Sequence, residues 1–355
     1  MSLEVSIHKK LDGFSLDVSF TAEPGVTALL GASGSGKSMT LRCIAGVEKP
    51  DAGRIVLDGR VLYDSERKID LPPQQRKVGY LFQRYALFPN MTVLQNIEAG
   101  LSLEHEKAVR RQKRESLIHR FHLEGLELRY PRELSGGQMQ RVALCRMLAG
   151  EPEAILLDEP FAALDSFLRW QLEREVKNTL AEFSGVSLLV SHDRGEVYRM
   201  SERVCVLGGG KSEQVTSTRE LFEHPRTVQS ALISGCKNVV LAEMAGDSAV
   251  FVSDWNAHLS CEPAGERRIT HAGIRAHNIA PCERDAENAL LCRVEDVAED
   301  VLSCVLTLRP EGAAATLCAE LTKEAAKPFP IGTQAYFSLP PAAVMLLSDS
   351  EQAGS

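Results

Sequence analysis

The sequence predicts an α/β domain built on a covered parallel sheet, followed by a smaller all-β domain. The runs "GVTALLG" (25–31), "AILLDEP" (154–160), "VSLLVSH" (186–192) and "RVCVLGGG" (203–210) are apolar and closed by polar residues or glycine. That is the pattern of parallel strands buried on both faces. The stretch 92–149 is helical in pattern and rich in charge. From about residue 236 the chain changes to short β-like runs, among them "NVVLAEM", "SAVFVSD", "LLCRVEDV" and "QAYFSL", broken by Gly, Pro, Asp and Asn. Such spacing suits a small OB-like barrel. The expected division is 1–235, with a helical subdomain over about 84–150, and then 236–355.

The strand at 25–31 runs into Gly31-Ala32-Ser33-Gly34-Ser35-Gly36-Lys37-Ser38. This matches G-x-x-x-x-G-K-[ST] in full, after a strand and before a helix, "MTLRCIAGV", that ends at Gly46. Its glycines let backbone N–H groups curl around a β-phosphate. Lys37 reaches the β- and γ-phosphates, and the Ser38 hydroxyl binds Mg²⁺. The first domain is therefore expected to be an α/β P-loop nucleotide-binding fold. "GRIVLDGR" (53–60) reads as a hairpin arm with an Asp-Gly turn.

Gln83, in "GYLFQRYALFP", leaves an apolar strand, and its amide can touch Mg²⁺ and an attacking water. Asp158 ends a buried strand and can hold Mg²⁺ directly or through water. Glu159 follows it, placed to orient or deprotonate a water attacking the γ-phosphate. His192 closes the next apolar run and can hydrogen-bond the γ-phosphate. Ligands of open parallel sheets gather at strand C-termini, where these residues fall.

Composition narrows the function classes. Of 355 residues, 44% are hydrophobic and 25% charged, as in an ordinary globular protein. The net charge of −8 excludes a broad electrostatic grip on nucleic acid. The basic run "VRRQKRE" (109–115) reads as a solvated helix face, and "HRFH" (119–122) as a polar one without a third metal ligand. No apolar run reaches the ~18 residues that span a bilayer, and "MSLEVSIHKK" has no signal-peptide core. The nine cysteines include no C-x-x-C pair, so free thiols in a reducing compartment are expected.

A second glycine-rich helix start, "ELSGGQMQR" (133–141), follows a hundred residues after the first. Ser135 suits an N-cap there, and the free N–H groups behind it attract anionic oxygen. Phosphate loop, Gln83, "LSGGQ", "LLDEP", "AALD" and "SHD" in this order resemble the ATP-binding cassette family over roughly residues 1–235. The resemblance implies a head-to-tail homodimer in which Ser135, Gly136, Gly137 and Gln138 serve the neighbour's ATP and Asp165 lies at the two-fold interface. It also implies an ATPase with Mg²⁺ and ATP, Mg²⁺ being held by Ser38, Gln83 and Asp158. That family usually has an aromatic residue ahead of the loop to stack on adenine; "SIHKKLDGFSLDV" offers His8 or Phe14.

The β-rich tail is similar to the importer ATPases for oxyanions, sugars, polyamines and iron. Residues 53–97 and "IRAHNIA" (274–280) look most like the molybdate importer ATPases, with the sulfate importers next. This implies integral membrane permease subunits, an indirect periplasmic or surface binding protein, and a peripheral place on the cytoplasmic face of the inner membrane. A loop with Leu87, Phe88 and Met91 is expected to receive a permease helix. Arg275, His277 and Asn278 are candidate donors to a regulatory oxyanion. A soluble cassette acting on nucleic acid or the ribosome is the different-class alternative, and the acidic charge opposes it.

Overall fold

The computed structural model describes residues 1–349 apart from 12, 84, 102–105, 163–165 and 266, without the side chains of 166–168. The chain divides into two compact units, the first Met1–Thr218 and the second beginning at Arg219.

In the first unit the elements run β1 Leu3–Leu11, β2 Phe14–Ala22, β3 Gly25–Gly31, α1 Lys37–Ala45, β4 Ala52–Leu57, β5 Arg60–Asp64, β6 Ile69–Asp70, α2 Pro73–Arg76 and β7 Val78–Leu81. There follow α3 Val93–Gly100, α4 Lys107–Arg120, α5 Gly136–Ala149, β8 Ala154–Asp158, α6 Ser166–Ala181, β9 Val186–Ser191, α7 Arg194–Met200, β10 Arg203–Gly208, β11 Lys211–Ser212 and β12 Thr216–Ser217. The strands form one sheet in the order β6-β5-β4-β1-β2-β11-β10-β3-β9-β8-β7, with β12 against β10. The four apolar runs of the sequence are β3, β8, β9 and β10, and they pair in parallel, with β7 added at the β8 edge.

The sheet has a core on each face, and strand periodicity divides the side chains between them. Ala154 and Leu156 of β8 join Leu41 and Ile44 of α1, while Ile155 and Leu157 join Ile97, Ile118, Val142 and Leu144 of the helical subdomain. The Asp58-Gly59 turn has φ of 49° and 76°, the left-handed pair that a tight hairpin of matching twist requires.

Arg76 is fully buried and fixes the end of α1. Its Nη1 donates to the carbonyls of Cys43 and Ile44 at 2.8 and 2.9 Å, its Nε to Leu71 O at 2.7 Å, and its Nη2 to Asp70 Oδ1 at 3.0 Å. A cation on the last carbonyls of a helix is favourable in both hydrogen bonding and dipole. The helix that carries Lys37 and Ser38 is thus tied to the segment that leads through β7 to Gln83.

The boundary falls one residue into α8 Thr218–Glu223, and the second unit continues with α9 Val228–Ile233. Its strands are β13 Asn238–Leu241, β14 Glu243–Met244, β15 Ala249–Val252, β16 Ala257–Ser260, β17 His271–Ile274, β18 Ala280–Cys282, β19 Ala289–Glu299, β20 Ser303–Pro310, β21 Leu317–Thr322, β22 Gln334–Ser338 and β23 Met345–Leu347. They form small sheets ordered β13-β17-β23, β14-β15-β16 and β18-β22-β19-β20-β21. One core that includes Trp255, Val294, Leu306 and Phe337 serves all three, as the all-β class requires. Packing draws α9 into this unit, ahead of the change in sequence character at 236. Val228, Ala231 and Cys236 pack on Met345 and Leu347 of β23.

All nine cysteines are free thiols. No helix among the described residues is long and apolar enough to cross a membrane.

Candidate nucleotide site

Loop 31–38 owes its curl to backbone conformations that L side chains avoid. Gly34 and Gly36 have φ of 79° and 102°. A Cβ on Gly36 would collide with Leu16 Cδ1, and ring carbons of Phe14 lie 3.5 Å from the same point. Phe14 therefore sits beside the loop, at its junction with α1. His8 lies further along the hairpin, paired with Asp17.

Lys37 is 6% exposed, and its Nζ donates to the Gly31 and Ala32 carbonyls, both at 2.8 Å. Burial lowers its pKa from the usual lysine value, opposed by the charges of Glu159 and Asp158.

Ser38 Oγ donates to Asp158 Oδ1 at 2.7 Å, joining the first turn of α1 to the end of β8. The other carboxylate oxygen, Oδ2, accepts from the Tyr80 hydroxyl at 2.8 Å. Burial, then the Asp158 charge, raises the Tyr80 pKa, so the phenol remains a donor.

Glu159 turns into the left-handed region, φ 46°, and its N–H donates to Val190 O at 2.9 Å. Such a backbone is uncommon for glutamate and persists only where its surroundings enforce it. Two side chains converge on its carboxylate. Gln83 Nε2 donates to Oε2 at 3.0 Å, and His192 Nδ1 lies 3.2 Å from Oε1. The residues flanking His192 are fixed. Ser191 Oγ donates to buried Glu196, Asp193 N–H donates back to Ser191 Oγ at 2.9 Å, and Asp193 caps α7.

Gln83, Glu159 and His192 therefore form one cluster, and Ser38 with Asp158 a second. Ser135–Gln138 stand apart. Ser135 Oγ accepts from Gln138 N–H at 3.3 Å, and Gln138 Oε1 accepts from Ser135 N–H at 2.9 Å, closing a capping box at the start of α5. Among the described hydrogen bonds none joins 135–138 to 31–38. Asp165 lies outside the described residues. Arg275 is engaged locally, donating from Nη1 to Ser234 O at 3.1 Å and from Nη2 to Ser234 Oγ at 3.0 Å. His277 is exposed and Asn278 half-buried in the following turn.

Residues 16–162 match the family model described as ABC transporter. The putrescine transport ATP-binding protein PotG of Escherichia coli (strain K12) is 39% identical over 290 residues, 79% of this chain and 75% of that protein. The chain belongs to the ATP-binding cassette family of transporter ATPases.

Other relatives of the cassette are similarly distant. The sulfate/thiosulfate import protein CysA of Synechocystis is 44% identical over 56% of this chain and 55% of its own length. The molybdenum import protein ModC of Paramagnetospirillum magneticum is 42% identical over 59% and 57%. The cassette thus spans little more than half the length of these two. A dimeric ATP-binding cassette in a post-hydrolysis state, bound to ADP and Pi, superposes with a TM-score of 0.53 at 28% identity, over 62% of this chain and 99% of that one.

Within the cassette, the loop after Gln83 is built by a residue that sequence reading passed over. Asn96 is fully buried; its Oδ1 accepts from Phe88 N–H, and its Nδ2 donates to the carbonyls of Phe88, Met91 and Thr92. Phe88 and Met91 are left 46% and 38% exposed, whereas Leu87 packs into the subdomain core.

Proposed function

We propose that the chain is the ATP-hydrolysing subunit of a membrane importer, acting as a homodimer beneath integral membrane permeases at the cytoplasmic face of the inner membrane. The observation that carries this reading is the grip of Gln83 and His192 on Glu159, one residue beyond the Ser38–Asp158 pair. In this reading Glu159 takes a proton from, or orients, the attacking water. His192 and Lys37 contact the γ-phosphate, the loop amides of 31–38 hold the phosphates, and Ser135–Gln138 close on the ATP of the partner.

Ser38 Oγ and Asp158 Oδ1 are hard oxygen donors 2.7 Å apart, and with the Gln83 amide oxygen they suit Mg²⁺. When bound, Mg²⁺ would supply positive charge that neutralises the charge developing on the phosphates. Phe14 is the proposed face for adenine. Phe14→Ala is expected to weaken ATP binding about tenfold, as loss of one stacking contact implies, and His8→Ala to leave it unchanged. Titration with a fluorescent ATP analogue measures both; equal effects would exclude the assignment.

The exposed Phe88 and Met91 are proposed to meet a permease helix. The second unit is proposed as dimer contact, because the Arg275 guanidinium is already bonded to Ser234. A net charge of −8 supports no nucleic-acid role. For the cargo we favour molybdate, delivered by a periplasmic or surface binding protein, with sulfate the second choice. Vesicles carrying the full transporter should accumulate molybdate on ATP addition, and not sulfate, putrescine or ferric iron. Uptake of sulfate alone would reverse the assignment, and Lys37→Ala should abolish either.

A further inference from the structure

Asp158 is gripped by both of its oxygens, and only one grip was visible in the motifs. Tyr80 on β7 pairs with Leu156 on β8, so Tyr80 and Asp158, two residues on, share a face of the sheet. Tyr80 packs against the core to which α1 contributes Leu41 and Ile44. β7 and α1 each hold one oxygen of the carboxylate. Ser38 in the first turn of α1 donates to Oδ1 directly. The Tyr80 hydroxyl donates to Oδ2. A carboxylate with one oxygen held by a fixed phenol cannot rotate freely about its last bond, and it presents the remaining oxygen to whatever lies at Ser38.

We propose that Tyr80 is a positioning residue for the Mg²⁺ site, holding Asp158 Oδ2 so that Oδ1 alone is offered beside Ser38. This rests on the reading of Ser38 and Asp158 as the Mg²⁺ donors. Tyr80 itself touches neither nucleotide nor metal in this scheme. It acts by fixing the geometry that a small cation with strict octahedral demands selects.

The test is binding of a fluorescent ATP analogue to the full chain, first in excess EDTA and then as Mg²⁺ is titrated in. The wild-type chain should bind the analogue more tightly as Mg²⁺ rises; absence of that gain would remove the Mg²⁺ reading itself. Tyr80→Phe deletes only the hydroxyl. Its binding in EDTA should stay within about twofold of wild type, while the Mg²⁺ midpoint should rise roughly tenfold, the scale of one lost hydrogen bond to a charged group. Tyr80→Met, which deletes the hydroxyl and keeps apolar bulk, should show the same separation. A Mg²⁺ midpoint equal to wild type in a Tyr80 variant, with the wild-type gain present, overturns the proposal. So does an equal loss of binding in EDTA and in Mg²⁺, which would mark Tyr80 as a packing residue.

Discussion

Glu159→Gln is expected to bind ATP like the wild-type chain and to lose hydrolysis by about 10²–10⁴-fold, the contribution typical of a positioned general base. The substitution keeps the shape of the side chain. It removes the proton acceptor and one negative charge beside the triphosphate. Both changes act in one direction on the proposed cycle: chemistry stops, and the ATP-bound dimer, less repelled, accumulates. Phosphate release measures the first effect, and light scattering with and without ATP the second. Turnover near the wild-type rate would take Glu159 out of the mechanism and leave its left-handed backbone and its two polar partners without a chemical role.

Ser135→Arg should abolish ATP-dependent dimerisation and lower turnover by at least about 100-fold, while ATP affinity of the monomer stays within about twofold. The reason is separation. Within one chain Ser135–Gln138 share no described hydrogen bond with the loop 31–38. An arginine there removes the α5 cap, at a cost of about 1 kcal/mol, and places a long side chain where the partner's nucleotide is proposed to dock. Ser135→Ala separates the two effects, because it removes only the cap. It should reduce turnover far less than Ser135→Arg. A fall in monomer ATP affinity for Ser135→Arg would instead place the start of α5 over its own chain's nucleotide.

The parts of the site that were legible in the sequence are those written locally. The loop 31–38 is contiguous, and Asp158, Glu159 and His192 close apolar runs whose strand character is plain. Other features were not legible, each because the determinant is spatial. Tyr80 reads as an ordinary strand aromatic, and its bond to Asp158 depends on the β7–β8 register. Arg76 in "PPQQRK" reads as surface charge, yet it is buried because α1 needs its carbonyls bonded. His8 and Phe14 were equivalent candidates, since which residue of a hairpin meets the loop depends on hairpin geometry and not on residue type. The left-handed turn at Glu159 carries no composition signal, because glutamate is not a residue that favours it. The second unit was legible as all-β from its turn spacing. The membership of α9 in it was not, because that helix declares its partner only through packing on β23.

The central claim is that one ATP is enclosed by the loop 31–38 of one chain and the start of α5 of another. Thiol cross-linking tests it most directly, with Ser33→Cys in one Glu159→Gln chain and Ser135→Cys in a second, differently tagged, and a short bifunctional reagent. The native cysteines are buried or half-buried, and a chain without the added thiols serves as control. The account predicts a cross-linked pair containing both tags, formed on addition of ATP with Mg²⁺ and absent without nucleotide. A cross-link between the two positions within a single chain, in the doubly substituted monomer, would contradict it, as would a mixed pair whose yield ignores ATP.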